Sequence, residues 1–283
     1  NWRSYFEHGD EGLGSSYERI ILNNVLLDVV EKYDVKSVLE SPSVGFTGLS
    51  GINLVALAKA GVRVQLGDHD EERIEMIKEL WQSLGQSMDI RYNADYRVLD
   101  YPDKSFDLSF SFSALWFCQD LRLYLAELAR VSKKCILISV PNRSGLGYKS
   151  QLQDYSPQRY PYLKISHIDS PSFIYLLDKL GWSLKESRLF DCPLWPDIGM
   201  SKEDFLQNKL GIKLRVGKQG GAASEQRTPA KEKEPLSILD YYRGKDEGIA
   251  GRMLQYDLFE RHATQAFKRI WAHHEYFLFE PKQ

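Results

Sequence analysis

Apolar positions follow two alternating spacings along the first two thirds of the chain. Short, nearly continuous apolar runs, typical of buried strands, alternate with segments in which apolar residues recur every three or four positions, as in an amphipathic helix. The strand-like runs are 36–40, 62–67, 90–92, 106–112, 135–140 and 182–190, and the helical segments are 15–33, 52–60, 71–84, 121–131 and 170–180. This alternation predicts an α/β fold built on a doubly wound, mostly parallel sheet.

The pattern changes after the last of these strands. Residues 217–235 contain no Val, Ile, Leu, Met, Phe, Trp, Tyr or Cys, so they cannot bury apolar surface and are predicted to form a mobile loop. Helical spacing returns over 249–270, and the strand-like run 274–280 follows it. We predict an N-terminal helical segment (1–35), a domain formed by 36–192 and 272–283, and a helical insertion at 193–271.

The composition disfavours nucleic-acid binders, disulfide-rich or metal-binding proteins, and membrane proteins. The 283 residues include 37 Lys and Arg against 39 Asp and Glu, a net charge of −2. Nucleic-acid binders usually carry a basic excess, so a nucleic-acid partner is not expected. The three cysteines form no CxxC pair and no Cys/His ligand spacing, so neither a disulfide framework nor a bound metal is expected, and a reducing cytoplasm fits. No apolar run is long enough to predict a membrane span.

Acidic residues follow the first two predicted strands. Glu40 ends the first and Asp68 ends the second, and the ligands of open α/β sheets bind where the carboxyl ends of strands meet. An acid after the second strand suits ribose hydroxyls, as in enzymes that use NAD or S-adenosylmethionine. The turn after Glu40 contains Gly45, Gly48 and Gly51 but no GxGxxG, which disfavours a pyrophosphate site and therefore NAD.

Five further stretches resemble motifs of class I S-adenosylmethionine-dependent methyltransferases, in particular the type 11-like branch that acts on small molecules. They are VQLGDHD at 64–70, ADYRVLDYPDKSFDL at 94–108, LAELARV at 125–131, LLDKLGW at 176–182 and HHEYFLF at 273–279. The resemblance covers about 36–195 and 270–283. It implies a Rossmann-like sheet with a final antiparallel strand, and S-adenosylmethionine as the cofactor.

The resemblance also implies roles for individual residues. Glu40 is expected near the amino-acid end of the cofactor, Asp68 on the ribose and His69 beside the adenine. Asp95 is expected to accept a hydrogen bond from the adenine N6, with the backbone N–H of Tyr96 beside the ring. Ser111, at the end of the fourth strand, is expected to face the methyl donor.

The first motif departs from the family pattern. Pro42, Val44 and Phe46 stand where the family has the three glycines of E-x-G-x-G-x-G, and the turn is about five residues longer. A proline ring and added Cβ atoms change how closely the backbone approaches a ligand. We expect Pro42 and Gly45 to border the cofactor along an altered path. The alternative is a methyltransferase-like scaffold that has lost cofactor binding.

The acceptor site is predicted from the long segments after the fifth and sixth strands. The insertion at 193–271 begins on the side of the sheet where the cofactor is expected, so it is interpreted as a lid over the substrate, with Trp195 near its start. The alternative is that the insertion is an oligomerising arm. Tyr148 and Tyr160 are candidate substrate contacts, and His167 is the candidate general base.

The expected activity is in-line methyl transfer to a small molecule. The alternative is an RNA or protein methyltransferase, which would use a basic strip formed by Lys209, Lys213, Arg215 and Lys218. The protein could also form a homo-oligomer.

Overall fold

A seven-stranded sheet forms the centre of the molecule. The computed structural model describes residues 2–8, 12–45, 48–151, 158, 160–194 and 237–283. The strands are β1 Ser37–Glu40, β2 Arg63–Asp68, β3 Asp89–Tyr92, β4 Phe106–Phe112, β5 Ser132–Pro141, β6 Trp182–Phe190 and β7 His274–Pro281. Their order is β3-β2-β1-β4-β5-β7-β6, and only β7 runs antiparallel to its neighbours. The predicted doubly wound sheet with a final antiparallel strand is confirmed.

Helices cover both faces of this sheet. They are α1 Trp2–His8, α2 Gly12–Tyr33, α3 Val55–Lys59, α4 Glu71–Ser83, α5 Leu121–Val131, α6 Leu146–Gln151, α7 Ser170–Lys179, α8 Ile238–Tyr242, α9 Gly248–Leu254, α10 Leu258–His262 and α11 Gln265–Trp271. Two 3₁₀ turns, Leu115–Phe117 and Ile165–Ile168, follow β4 and precede α7. No helix in the described parts of the chain is long and apolar enough to cross a membrane.

Three helix predictions were wrong in extent. α2 begins at Gly12, three residues before the predicted start, and buries Ser15 within the helix. α3 is shorter than 52–60, because the residues before it form buried turns. The single helix expected over 249–270 is three short ones, since Ala263 is extended and the Thr264 hydroxyl caps a new helix by accepting the Phe267 amide at 3.3 Å.

Each face of the sheet has its own apolar core. α2, α3, α4, α8 and α9 share the core that contains Leu22, Leu57 and Trp81, whereas α5 and α7 share the core that contains Leu128 and Phe173. The C-terminal part of the insertion joins the first core. Within it, Tyr242 is buried, its hydroxyl lies 3.1 Å from the Asn23 amide nitrogen, and its carbonyl accepts a hydrogen bond from Lys59. The lid at Trp195, the loop at 217–235 and the basic strip at 209–218 lie outside the described residues.

The carboxyl ends of the parallel strands meet at one edge of the sheet. There Glu40 of β1 pairs in register with Leu66 of β2 and Phe110 of β4. Because β7 is antiparallel, its first residue, His274, lies at this same edge, opposite Phe190 of β6. Every residue discussed below belongs to this edge or to the segments that leave it.

Gly67 permits the close approach of the β1 turn to β2. A Cβ at position 67 would overlap the Ser41 hydroxyl and lie 3.0 Å from the Ser41 Cβ. We therefore expect Gly67→Ala to lower the free energy of unfolding by roughly 1–3 kcal/mol, because the buried turn must shift. The measurement is urea unfolding followed by tryptophan fluorescence.

Gly251→Ala is the matched control for this substitution. Gly251 lies in α9, and a Cβ added there meets no heavy atom within 4 Å. Alanine favours a helix over glycine by roughly 0.5–1 kcal/mol, so this variant should be as stable as the wild type or slightly more stable. Equal unfolding free energies for the two variants would contradict the steric role of Gly67.

Candidate functional site

A cleft of about 460 Å³ lies where β1, β2 and β3 end. This volume is in the range of small-molecule binding sites. Its walls come from the turn after β1, the ends of β2 and β3, the 3₁₀ turn after β4, helix α1 and the segment before the second 3₁₀ turn. The lining residues are Trp2, Val44, Gly45, His69, Asp70, Arg73, Ala94, Asp95, Tyr96, Phe117, Gln119, Tyr160 and Tyr162.

Asp68 ends β2 but is held inside the protein. Its side chain is fully buried and forms a two-pronged ion pair with Arg73, whose Nε lies 2.9 Å from Oδ2. The Ser43 hydroxyl donates to the same oxygen at 2.9 Å, and the Asp70 amide donates to Oδ1 at 3.0 Å. These four donors engage both carboxylate oxygens, so a ribose contact by Asp68 would have to displace one of them.

Asp70 and Asp95 are the acids that face the cleft. The Asp70 side chain is 30% exposed, and its Oδ1 caps α4 by accepting the Arg73 amide at 3.0 Å. The Asp95 carboxylate is paired with Arg97, and hydrogen bonds from that side chain and its backbone hold the pKa of Asp95 below its usual range. Both acids therefore present charged acceptors near the ends of β2 and β3.

His69 and Tyr96 form a hydrogen-bonded pair on the cleft wall. The His69 Nδ1 lies 2.8 Å from the Tyr96 hydroxyl. Burial lowers the pKa of His69, although the nearby Asp68 charge opposes this effect, so the ring is neutral at pH 7. The Tyr96 backbone N–H donates to the Asn93 side chain at 2.7 Å. The amide that the resemblance assigns to the adenine ring is therefore engaged within the protein.

Glu40 lies at the end of β1 and is fully buried. The Asn53 amide donates to its Oε1, whereas its Oε2 and the Asn53 amide oxygen have no hydrogen-bond partner among the described residues. Burial raises the pKa of Glu40 to about 8, even though the Asn53 hydrogen bond and the Arg19 charge favour the ionised form. The carboxyl group of Glu40 therefore loses its proton close to neutral pH. Its side chain does not line the cleft.

The long turn after β1 is built into the core. Pro42 follows β1 directly and is buried, whereas Val44 and Gly45 reach the cleft. Side chains from three helices donate to carbonyl oxygens of the turn. These hydrogen bonds join Tyr124 to Ser41, Trp81 to Gly51 and Arg19 to Leu49. The altered first motif thus serves internal packing along most of its length.

The predicted substrate contacts and Ser111, expected to face the methyl donor, lie in different environments. Tyr160 lines the cleft and packs edge to face on Tyr162, with ring centroids 6.3 Å apart. Tyr148 lies in α6 within the apolar core, and Ser111 is buried in β4. Of these three described residues, only Tyr160 lines the cleft. Trp195 lies outside the described residues.

His167 lies on the 3₁₀ turn before α7. Its Nδ1 is 3.3 Å from the carbonyl oxygen of Leu115 on the 3₁₀ turn after β4, and the ring does not line the cleft. Burial lowers the pKa of His167, so the imidazole is neutral at pH 7. A proton on Nδ1 shared with Leu115 leaves Nε2 as the basic nitrogen.

Several lining residues were given no role from the sequence. They include Trp2, Asp70, Arg73, Phe117 and Gln119. Asp70 carried a usable signal, because an acid immediately before a charged helix is both an N-cap and a neighbour of the β2 end. No sequence pattern pointed to Trp2. Two contacts place it at the cleft: the Arg73 guanidinium lies over its ring, 5.2 Å from the centroid, and the neighbouring Arg3 pairs with Glu72.

The raised pKa of Glu40 predicts a pH dependence of stability. Between its ordinary value of 4.5 and about 8, the folded protein keeps a proton that the unfolded chain has released, so stability falls as pH rises. Glu40→Gln removes this contribution. Relative to the wild type, the variant should gain up to about 1.4 kcal/mol in unfolding free energy per pH unit between pH 5 and 8.

Urea unfolding without added ligand, at half-unit steps of pH, measures this difference. Glu79→Gln, at an exposed position of α4, is the control and should keep the wild-type slope. If Glu40→Gln also kept that slope, the carboxyl group of Glu40 would be ionised throughout the range, and the prediction would fail.

Comparison with known proteins finds one matching family and several structures of similar fold. Residues 44–135 match the family described as "Methyltransferase domain", and no curated protein matches the sequence. A proposed sarcosine dimethylglycine methyltransferase from Galdieria sulphuraria is 14% identical, with 92% of this chain and 85% of that chain covered and a TM-score of 0.51.

Two other solved structures show weaker similarity. One belongs to the complex of the Haloferax volcanii Trm112 methyltransferase activator with a proposed methyltransferase: 15% identity, 88% and 82% coverage, TM-score 0.48. The other is a proposed methyltransferase from Bacillus halodurans: 15% identity, 90% and 96% coverage, TM-score 0.47. The similarity to the Galdieria sulphuraria structure and the order and direction of the seven strands show a Rossmann-like methyltransferase fold, and residues 44–135 match the methyltransferase-domain family.

Proposed function

We propose that the protein binds S-adenosylmethionine in the cleft and transfers its methyl group to a small-molecule acceptor. The cleft itself is the observation that carries this proposal. Adenosine offers an exocyclic amine and two ribose hydroxyls as donors, and Asp70 and Asp95 are charged acceptors on the lining. The rings of Trp2, Tyr160 and Tyr162 provide flat apolar surfaces for a purine.

The reaction requires alignment more than chemical assistance. Methyl transfer from a sulfonium is an in-line displacement in which positive charge leaves sulfur as the new bond forms. The enzyme must hold the acceptor atom behind the methyl group and exclude water. An oxygen or nitrogen acceptor that carries a proton also needs a base. His167 is our candidate because its lowered pKa leaves the ring neutral; since the ring does not line the cleft, it would act on an acceptor that extends past the 3₁₀ turn after β4.

A second candidate function is a methyltransferase-like scaffold that binds no cofactor. The buried pair of Asp68 and Arg73, with Ser43 on the same carboxylate, favours it, because the acid expected on the ribose is already occupied. The enzyme hypothesis then requires the ribose to be bound by another group, and Asp70 is the nearest acid along the chain that faces the cleft. The RNA or protein methyltransferase alternative rested on a basic strip outside the described residues.

Calorimetric titration with S-adenosylhomocysteine distinguishes these functions. We expect the wild type to bind, and Asp95→Ala to bind roughly 10–150-fold more weakly, as for a lost hydrogen bond to a charged group of about 1.5–3 kcal/mol. Asp28→Ala, at an exposed position of α2, is the matched control and should keep the wild-type dissociation constant.

Each other outcome points to a different hypothesis. A folded wild type that binds neither S-adenosylmethionine nor S-adenosylhomocysteine would support the scaffold. Wild-type affinity in Asp95→Ala would show that Asp95 does not contact the adenine. Folding of each variant is checked by far-ultraviolet circular dichroism.

A further inference from the structure

A second group of polar side chains is buried at the same edge of the sheet as the cleft. Its members come from α2, the end of β6 and the start of β7, whereas the cleft lies at the ends of β1, β2 and β3. The acid-histidine cluster, as we call it, consists of Glu18 from α2, Asp191 after β6, and His273 and His274 at the start of β7. None of them lines the cleft, and the proposed methyl transfer uses none of them.

Three atoms of the cluster converge on one point. The His274 Nε2 lies 3.0 Å from the Glu18 Oε2 and 3.8 Å from the Asp191 Oδ2. These three donor atoms all lie within 4.8 Å of one another. In a tetrahedral zinc site with bonds of about 2.0–2.2 Å, donor atoms are separated by roughly 3.3–3.6 Å. The two distances to His274 bracket that range, so small side-chain shifts would bring these donors to ligand distance.

Neighbouring groups orient the three donors. The His274 Nδ1 lies 3.2 Å from the Ser113 hydroxyl, so Nε2 is the ring nitrogen that faces both carboxylates, and a metal ion would replace the proton that Nε2 shares with Glu18. The His273 Nδ1 lies 2.9 Å from the Asp191 Oδ2. Supporting contacts of this kind, which fix the tautomer of a ligand histidine and the direction of a ligand carboxylate, are typical of metal sites.

Burial and charge give an independent indication of a cation. The Glu18, Asp191 and His274 side chains are only 4%, 1% and 6% exposed. The Asp191 Oδ1 is buried and has no hydrogen-bond partner among the described residues. Two buried carboxylates with an unpaired oxygen need a compensating positive charge.

We propose that Glu18, Asp191 and His274 bind one divalent transition-metal ion of the zinc type. An imidazole ligand favours zinc over magnesium or calcium, which prefer all-oxygen sites. Three protein ligands leave at least one coordination position for water or for an oxygen or nitrogen atom of another molecule. This inference does not depend on the proposed methyl transfer.

Zinc uptake by the full chain tests the proposal. Protein treated with a chelator and then dialysed against zinc should hold one zinc per chain by mass spectrometry. Its unfolding temperature should rise by about 5–10 °C at a zinc concentration 100 times the dissociation constant. Glu18→Gln and Asp191→Asn keep the side-chain shapes and should each weaken zinc binding at least roughly tenfold. His262→Gln, at an exposed position of α10, should bind like the wild type.

Two results would overturn the site. One is a wild type that takes up no zinc; the other is wild-type zinc affinity in both carboxylate variants. If the variants fail to fold, the visible spectrum of the cobalt-loaded wild type decides: d–d bands of tetrahedral nitrogen and oxygen coordination support the site, and a spectrum of hydrated cobalt excludes it. Titration with S-adenosylhomocysteine on the same samples keeps the two hypotheses apart, since zinc uptake without nucleoside binding would remove only the proposed function.

Discussion

The buried ion pair between Asp68 and Arg73 holds together the walls of the cleft. It joins the end of β2 to the first turn of α4, and through Ser43 it also anchors the turn after β1. Removing one partner of such a pair typically costs 3–5 kcal/mol, because the other charge is left buried and uncompensated. The position of Asp70 at the α4 N-terminus, and that of Trp2 over the Arg73 guanidinium, both depend on this pair.

Burial divides the acids at the sheet edge into two chemical groups. Asp70 and Asp95 remain partly exposed, which suits hydrogen bonds to the hydroxyls and amines of a nucleoside, and Arg97 holds the pKa of Asp95 below its usual range. Glu40 and Asp191 are fully buried, and burial raises the pKa of each. Their ionisation depends on what compensates their charge, since desolvation penalises an unpaired carboxylate.

Local patterns predicted the framework well and its details less well. The six strand-like runs of the first 190 residues are strands in the structure, because each depends on a short apolar segment that any parallel sheet would bury. The break between α10 and α11 was missed because the helical period of the apolar residues continues across it. Thr264, at this break, is nevertheless a recognisable N-cap. The start of α2 was misplaced because tertiary packing buries Ser15, a residue usually favoured at caps.

The sequence by itself determined the class of fold and the resemblance to methyltransferases, since these depend on spacing along the chain. Only the tertiary structure decided which way each side chain points. It turned Asp68 inward onto Arg73, brought Trp2 and Tyr162 to the cleft, and placed Tyr148 in the core. It also assembled Glu18, Asp191 and His274, which no local motif connects. Contacts between residues so far apart arise from the packing of α2 against the ends of β6 and β7, and such packing has no periodic signature in the sequence.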